Sequence, residues 1–380
     1  MRVTCLQENL HRALGTAGRA VATKSTLPIL GNFLLNASQD ELVITATNLE
    51  MGIRYTIPAK VQEEGRVTLQ ARVLNDFVAS LSSGEMELLN DQGPLTVLVK
   101  QGNTQAHVRG IDPDDFPPLT EHADEGALFE VDPAILREAI EHVVFAAASD
   151  DSRPVLAGVQ LEVKGDKLQL AAADGFRMSV RTVTLDQPLA DEVSIIIPAR
   201  AMGEMSRVLS DASEPARISI TPNQTQLYLS LPDMVFVTRL IDGTFPDLKQ
   251  IIPTTWNTRS VVLRDTVLDA ARRAAIFARS ANDVVKFEIQ PPSDSLEMGQ
   301  VTITANAADT GDNRDDIDAQ VEGEPTQIAF NGRYLTDVLS VMRGSSVAFE
   351  LQGANAAGVI KSEGSDDFVH VIMPMVIGAS

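Results

Sequence analysis

The feature that most limits how this chain can fold is a message repeated three times. "ELVITATN" places Leu42, Ile44 and Ala46 on one side of an extended segment. "KLQLAAAD" does so with Leu168, Leu170 and Ala172, and "QVTITANAAD" with Val301, Ile303 and Ala305. Alternation of period two marks a strand with one buried face. The offsets are 168 − 42 = 126 and 301 − 168 = 133 residues, and the longer one is assigned to an insertion around "QPPSDSLEMG". A third of the 380 residues is about 127, an ordinary domain size. The spacing predicts three copies of one unit in place of a single large core.

Other segments keep the same phase. Helical spacing opens each copy in "LHRALGTAGRAVAT", "DPAILREAIEHVVFAAAS" and "LRDTVLDAARRAAIFARSA". Asp132 before Pro133 is an expected N-cap followed by proline in the first turn. A second helix is expected in "ARVLNDFVASLSS", "PARAMGEMSRVLSDAS" and "NGRYLTDVLSVMRG", each after a short β-rich run. Closing strands are expected in "NTQAHVRGI", "DMVFVTRLI" and "DDFVHVIMP". Phe-Pro-x-Leu follows the first two, at Phe116–Leu119 and Phe245–Leu248. Proline supplies no ladder donor, so the motif is expected to end the last strand and direct the chain onward. The third copy has no successor, and "VIMPM" stands there as a free tail. The fold class is α+β, with copies at 1–122, 127–250 and 258–380. "TEHADEG" and "KQIIPTTWNT" link them.

Composition narrows the function. Lys and Arg number 31 against 52 Asp and Glu, a net charge of −21. Such acidity argues against a generally basic nucleic-acid binder or a binder of anionic membranes, yet leaves room for a local basic surface. No apolar run reaches the roughly 20 residues of a membrane span, and "MRVTCLQENL" has no signal-peptide core. Cys5 is the single cysteine, which rules out an internal disulfide and points to a reducing, cytoplasmic setting. At this position it reads as a small buried residue.

Catalytic motifs are sparse. His11, His107, His122, His142 and His370 form no HExxH or paired zinc pattern, and no Walker A or G-x-S-x-G sequence occurs. No metal or cofactor is expected. Asp309-Thr310-Gly311 matches the short aspartic-protease signature, but in a polar run without the apolar flanks of a buried catalytic loop. An acidic loop is the better reading of this run. For the chain as a whole, two other readings stand beside a protease: a repeat scaffold that binds proteins but not DNA, and a ring around DNA.

The last of these comes from a resemblance over the whole chain. "TLPILGNFLL", "SRPVLAGVQLEV", "AADGFRMSV", "IDGTFPDL" and the terminal "VIMPM" resemble, in order and spacing, the bacterial replicative sliding clamp, the β subunit of DNA polymerase III. The resemblance implies a ring of two head-to-tail chains, a homodimer, with helices lining the hole and sheets outside. Double-stranded DNA would pass through without sequence readout. It implies no catalysis. The implied partners are the polymerase III catalytic subunit, the clamp loader and other proteins bearing a clamp-binding peptide.

Matched by position, the resemblance also implies sites. A peptide pocket would be walled by Arg153, Leu156, Ala173, Gly175, Phe176, Arg177, Met178, Pro246, Ile251, Asn331, Tyr334 and Ala357. The tail residues Val371, Ile372, Met373, Pro374, Met375, Val376 and Ile377 would complete it. Gln250, Asn282 and Val376 depart from the commoner pattern and leave the rim less basic. DNA-facing cations would be Lys24, Arg72, Arg137, Arg200, Arg207, Arg272, Arg273 and Arg279. Acids such as Asp76, Glu138, Glu204 and Asp269 share the same helices. The dimer seam would join Ala106 and Val108 to Ile276 and Phe277 of the other chain.

Overall fold

The computed structural model describes residues 1–119, 128–150, 152–294 and 298–376. Ile377, His122 and the linker "TEHADEG" lie outside the described residues. The chain forms two compact units, one of residues 1–136 with 204–240, the other of 137–203 with 241–380.

The first unit holds two sheets. A five-stranded sheet runs Lys60–Glu63, Arg2–Leu6, Glu85–Asn90, Thr96–Gln101, Thr104–Arg109. An eight-stranded sheet runs Phe129–Val131, Ala216–Ile220, Gln226–Leu231, Met234–Arg239, Met51–Pro58, Glu41–Thr47, Asn32–Ser38, Gly65–Gln70. Helices α1 (Gln7–Ala17) and α2 (Ala71–Ala79) belong to this unit. Leu10, Ala13, Leu14 and Ala17 are the buried stripe of α1, at the helical spacing that the sequence carries. The helix starts at Gln7 and ends at Ala17, earlier at both ends than expected. Gly18 begins a tighter turn through Ala20.

The second unit carries a twelve-stranded sheet. Its order is Val193–Pro198, Gly158–Lys164, Lys167–Ala173, Arg177–Thr184, Phe368–Ile372, Gly358–Ser362, Ser346–Leu351, Thr258–Leu263, Gly311–Gly323, Gly299–Ala307, Val284–Gln290, Thr326–Asn331. Helices α3 (Pro133–Val143) and α4 (Ala199–Leu209) each contain a point where the chain passes from one unit to the other. The four-residue α5 (Leu248–Ile251), α6 (Arg264–Ala278) and α7 (Gly332–Val341) follow. Asp132 caps α3 as expected, its Oδ1 accepting from the Ala134 and Ile135 amides at 2.7 and 3.3 Å. Asn331 caps α7 in the same way.

The three copies correspond row by row along their ladders. One row of cross-strand partners reads Val3, Leu88, Val99, Ala106. The second copy gives Phe129, Ile218, Leu229, Phe236, and the third Ser260, Phe349, Ile360, His370. Each first member stands four residues before its helix, at Gln7, Pro133 and Arg264. A second set of rows pairs Ala46 with Ile53, Ala172 with Ser179 and Ala305 with Asn313. These alanines are the ones whose alternation marks the repeat in the sequence.

Phe-Pro-x-Leu does something other than end a strand. The ladders already stop at Arg109 and Arg239. Just past the first, Gly110 runs so close to the Thr68 carbonyl that a Cβ would sit 1.7 Å from its oxygen, so only glycine fits there. Phe116 is then buried with Ile29 and Leu30, and Phe245 with Met178, Ile196 and Val359. The motif seals each copy by folding an aromatic ring back onto it, an apolar term of about 2 kcal/mol or more per ring.

Candidate functional site

The site builds outward from one turn. Asp174 accepts from the Phe176 amide at 2.8 Å and the Arg177 amide at 3.0 Å, closing an Asx turn. Gly175 sits in it at φ +95°, and a Cβ there would meet Arg153 Nη1 at 3.0 Å. Arg153 Nη2 donates to the Asp174 carbonyl at 2.9 Å. The turn throws the Phe176 ring outward, leaving it 61% exposed.

Arg177 is the support beneath. Its Nη1 donates to Asp337 on α7 at 2.7 Å, its Nη2 to the Phe145 carbonyl at 2.7 Å, and its Nε to Asp174 at 3.1 Å. The guanidinium also lies over the Tyr334 ring, 4.2 Å from its centre. With only 9% of its side chain exposed, Arg177 is fully committed to joining the second copy to the third. Below it His370 is completely buried, its Nδ1 2.6 Å from Ser179 Oγ. Burial, aided by the Arg177 charge, pushes the imidazole down to about 3, so it stays neutral.

The tail is not free. The Met373 amide donates to the Phe176 carbonyl and the Met375 amide to the Ala329 carbonyl, both at 2.8 Å. In the second copy the corresponding bond runs from the Ile241 amide to the Ile196 carbonyl, also 2.8 Å. The tail therefore follows the path of the repeat, and only its side chains face solvent. Met373 is exposed and Val376 is 92% exposed, with Pro374 and Met375 half-buried. Val371 and Ile372 are buried in the cores and present no surface.

The floor is apolar. Ala173, Met178 and Val371 are buried in one cluster, with Val155, Leu156, Leu248, Ile252 and Ala357 half-buried against it. Pro246 and Ile251 stand exposed beside it, while Gln250 donates to Asp247 at 3.0 Å. Asn331 is turned to capping α7. Sequence reasoning missed Asp174, Asp337 and Phe145, which hold Arg177, and Val155, Leu248 and Ile252 in the floor. "AADGF" and "FPDL" signalled Asp174 and Leu248. Asp337 is 160 residues from Arg177, and no local pattern joins them.

The eight expected cations, Lys24 just beyond the first expected helix and the other seven on expected helices, are all exposed. Five have acidic neighbours: Arg72 with Asp76, Arg137 with Glu141, Arg207 with Glu204, Arg272 with Asp269, Arg273 with Asp315. Lys24, Arg200 and Arg279 have no ion pair among the described residues. At the expected seam Ala106 is half-buried, Val108 buried, Phe277 half-buried and Ile276 66% exposed.

The catalytic alternatives lose their footing. Asp309 is exposed in the turn between Gly299–Ala307 and Gly311–Gly323, where it is solvated, unlike a carboxylate sharing a proton in a buried dyad. Cys5 is buried and its thiol is pushed up to about 12, which leaves it unreactive. Among the described residues no three His, Cys, Asp or Glu side chains converge as metal ligands.

Comparison with known proteins accounts for the threefold plan. The N-terminal, central and C-terminal domain models of the DNA polymerase III beta subunit match residues 1–120, 130–247 and 249–376. The chain belongs to the DNA polymerase III beta subunit family. It is 32% identical to the beta sliding clamp of Synechocystis sp., over 99% of both chains. The crystal structure of the DNA polymerase sliding clamp from Bacillus subtilis is similar at a TM-score of 0.93, with 27% identity and 99% of each chain covered. That of the beta subunit from Thermotoga maritima gives 0.90 and 29%, over 99% of this chain and all of the other.

Proposed function

We propose that this chain is the processivity clamp of a replicative DNA polymerase. Two copies close head to tail into a ring, double-stranded DNA runs through it, and the polymerase, clamp loader and other replication proteins are held on its surface. It catalyses nothing itself. The observation that carries this reading is the match of all three beta-subunit domains along one chain whose fold agrees end to end with solved sliding clamps. The surface built by Phe176, Ile251, Met373 and Val376 over the Leu156–Met178 floor supports a pocket for short apolar peptides. The exposed cations Lys24, Arg72, Arg137, Arg200, Arg207, Arg272, Arg273 and Arg279 suit phosphate contacts without base readout. Such contacts have to be weak for sliding, and the acidic neighbours of five of the eight help to keep them so. Ala106, Val108, Ile276 and Phe277 form the seam in this reading. Among the described residues no helix is long and apolar enough to cross a membrane. A clamp on replicating DNA works in the cytoplasm.

The test is topological. Loaded by a clamp loader, the protein is expected to stay on closed circular DNA through gel filtration and to run off the same DNA once it is cut. Equal loss from both would sink the ring.

A further inference from the structure

The repeat contains a register that the single chain leaves unused. Where the first and second copies meet, Met234–Arg239 pairs antiparallel with Met51–Pro58, and Phe236 faces Ile53. Where the second and third meet, Phe368–Ile372 pairs with Arg177–Thr184, and His370 faces Ser179. By the rows traced above, Phe236 and His370 correspond to Ala106, and Ile53 and Ser179 to Asn313. Thr104–Arg109 is an edge strand, and Gly311–Asp318 pairs on one side only. One closing strand and one receiving strand therefore remain, of the same type as the two pairs already made.

With Ala106 opposite Asn313 in the ring, His107 stands opposite Asp312, and we propose that this pair makes the seam tighter in mild acid. This rests on the ring reading, which implies that these two edges meet, and adds the dependence on pH. Burial agrees with the register. Ala106 and Val108 alternate with exposed Gln105, His107 and Arg109, while Asn313 and Asp315 are half-buried between exposed Asp312, Arg314 and Asp316. A one-residue slip would set buried positions against exposed ones. Phe277 lies beneath Gly311, 3.9 Å from where a Cβ would stand, and Gly311 would face Val108.

His107 already touches Asp91, Nε2 to Oδ2 2.9 Å, and lies 3.1 Å from Gln92 Nε2. Arg109 and Gln105 flank it on its own strand, and Leu98 lies opposite on the next, with Lys100 diagonal. Across the seam Asp312 would stand directly opposite, with Arg314 diagonal and tied to Asp316 at 3.0 Å. The nearest groups are thus two carboxylates, and the cations are farther off. A protonated His107 gains Asp312 only in the assembled ring, so assembly binds protons and weakens as pH rises.

Two measurements test this. Sedimentation should give a dimer about two- to tenfold tighter at pH 6 than at pH 8, since a ring has two seams and each gains one cross-strand charge pair. His107→Gln and Asp312→Asn should each remove the difference; an unchanged difference in both, or none in the parent, overturns the pH claim. For the register, Ala106→Cys with Asn313→Cys should oxidise to a covalent dimer, because cross-strand Cα atoms lie within disulfide range. Buried Cys5 stays silent. Ala106→Cys with Asp315→Cys, two residues out of step, should not. Capture by the second pair alone, in a protein that still sediments as two chains, overturns the register and leaves the ring standing. A single chain at every concentration overturns the ring reading itself.

Discussion

At the scale of single residues, His370 is the most informative side chain. Its ordinary value is near 6.5 and in the fold it is pushed down to about 3. Above pH 6.5 it is neutral whether folded or not. Below that, the unfolded chain takes up a proton that the folded chain refuses until about pH 3, so acid favours unfolding. The chain should lose on the order of 2 kcal/mol between pH 6.5 and 4.5 through this group. His370→Asn, although less stable at neutral pH, should show a shallower decline, read as melting temperature against pH. An equally steep decline in both would assign acid sensitivity elsewhere. Arg177 teaches the complementary lesson. Its motif "DGFRM" is legible as a site, but its task is not, because Asp337 and Tyr334 come from a distant part of the chain. Arg177→Lys cannot fork between Asp174 and Asp337. It should lower the melting temperature by several degrees and weaken peptide binding together; loss of binding with unchanged stability would mean that Arg177 touches the peptide directly.

At the scale of elements, strands are readable wherever one face is buried, because alternation is a local property of the pleat. Glu41–Thr47, Lys167–Ala173 and Gly299–Ala307 appear where the pattern puts them. The role of Phe-Pro-x-Leu escapes such a reading because the backbone rule for proline is local, while the burial of Phe116 and Phe245 depends on residues far away in sequence. The docked tail escapes it for the same reason: the carbonyls of Phe176 and Ala329 that hold it are invisible to a pattern. Held by two backbone bonds, its exposed methionine and valine are presented in a fixed place, which lowers the ordering cost of binding. Removing residues 373–380 should abolish binding of a labelled polymerase C-terminal peptide and leave the dimer intact, since no seam strand is touched. Met375→Ala, which keeps the amide bond to Ala329, should weaken binding by only a few-fold. Full-strength binding by the truncated dimer would reduce the tail to the end of a strand.

At the scale of the whole molecule, the puzzle is a DNA-encircling protein with a net charge of −21. A ring tolerates this because topology, and not affinity, keeps it on DNA. The two requirements can then be tested apart. In the proposed seam, Phe277→Asp would bury a charge against Val108 of the other copy, at a cost of several kcal/mol. Its solution mass should fall toward one chain while the domains stay folded. Neutralising Lys24, Arg72 and Arg200 together should leave the dimer alone and act only on the approach to DNA. Lys24 and Arg200 have no ion pair among the described residues, and the Arg72–Asp76 pair is 3.7 Å apart and open to solvent. All three are therefore available to phosphates. For every phosphate no longer neutralised, the slope of log affinity against log salt should become shallower by about 0.9, or about 2.7 for the three. Binding of open, unloaded protein to short duplex DNA would measure that slope without the topological link. Retention of the loaded variant on circular DNA should persist at low salt, because the ring still closes. An unchanged slope would remove these three residues from the DNA path, whereas loss of retention with an intact dimer would mean that the cations, and not closure, hold the clamp in place.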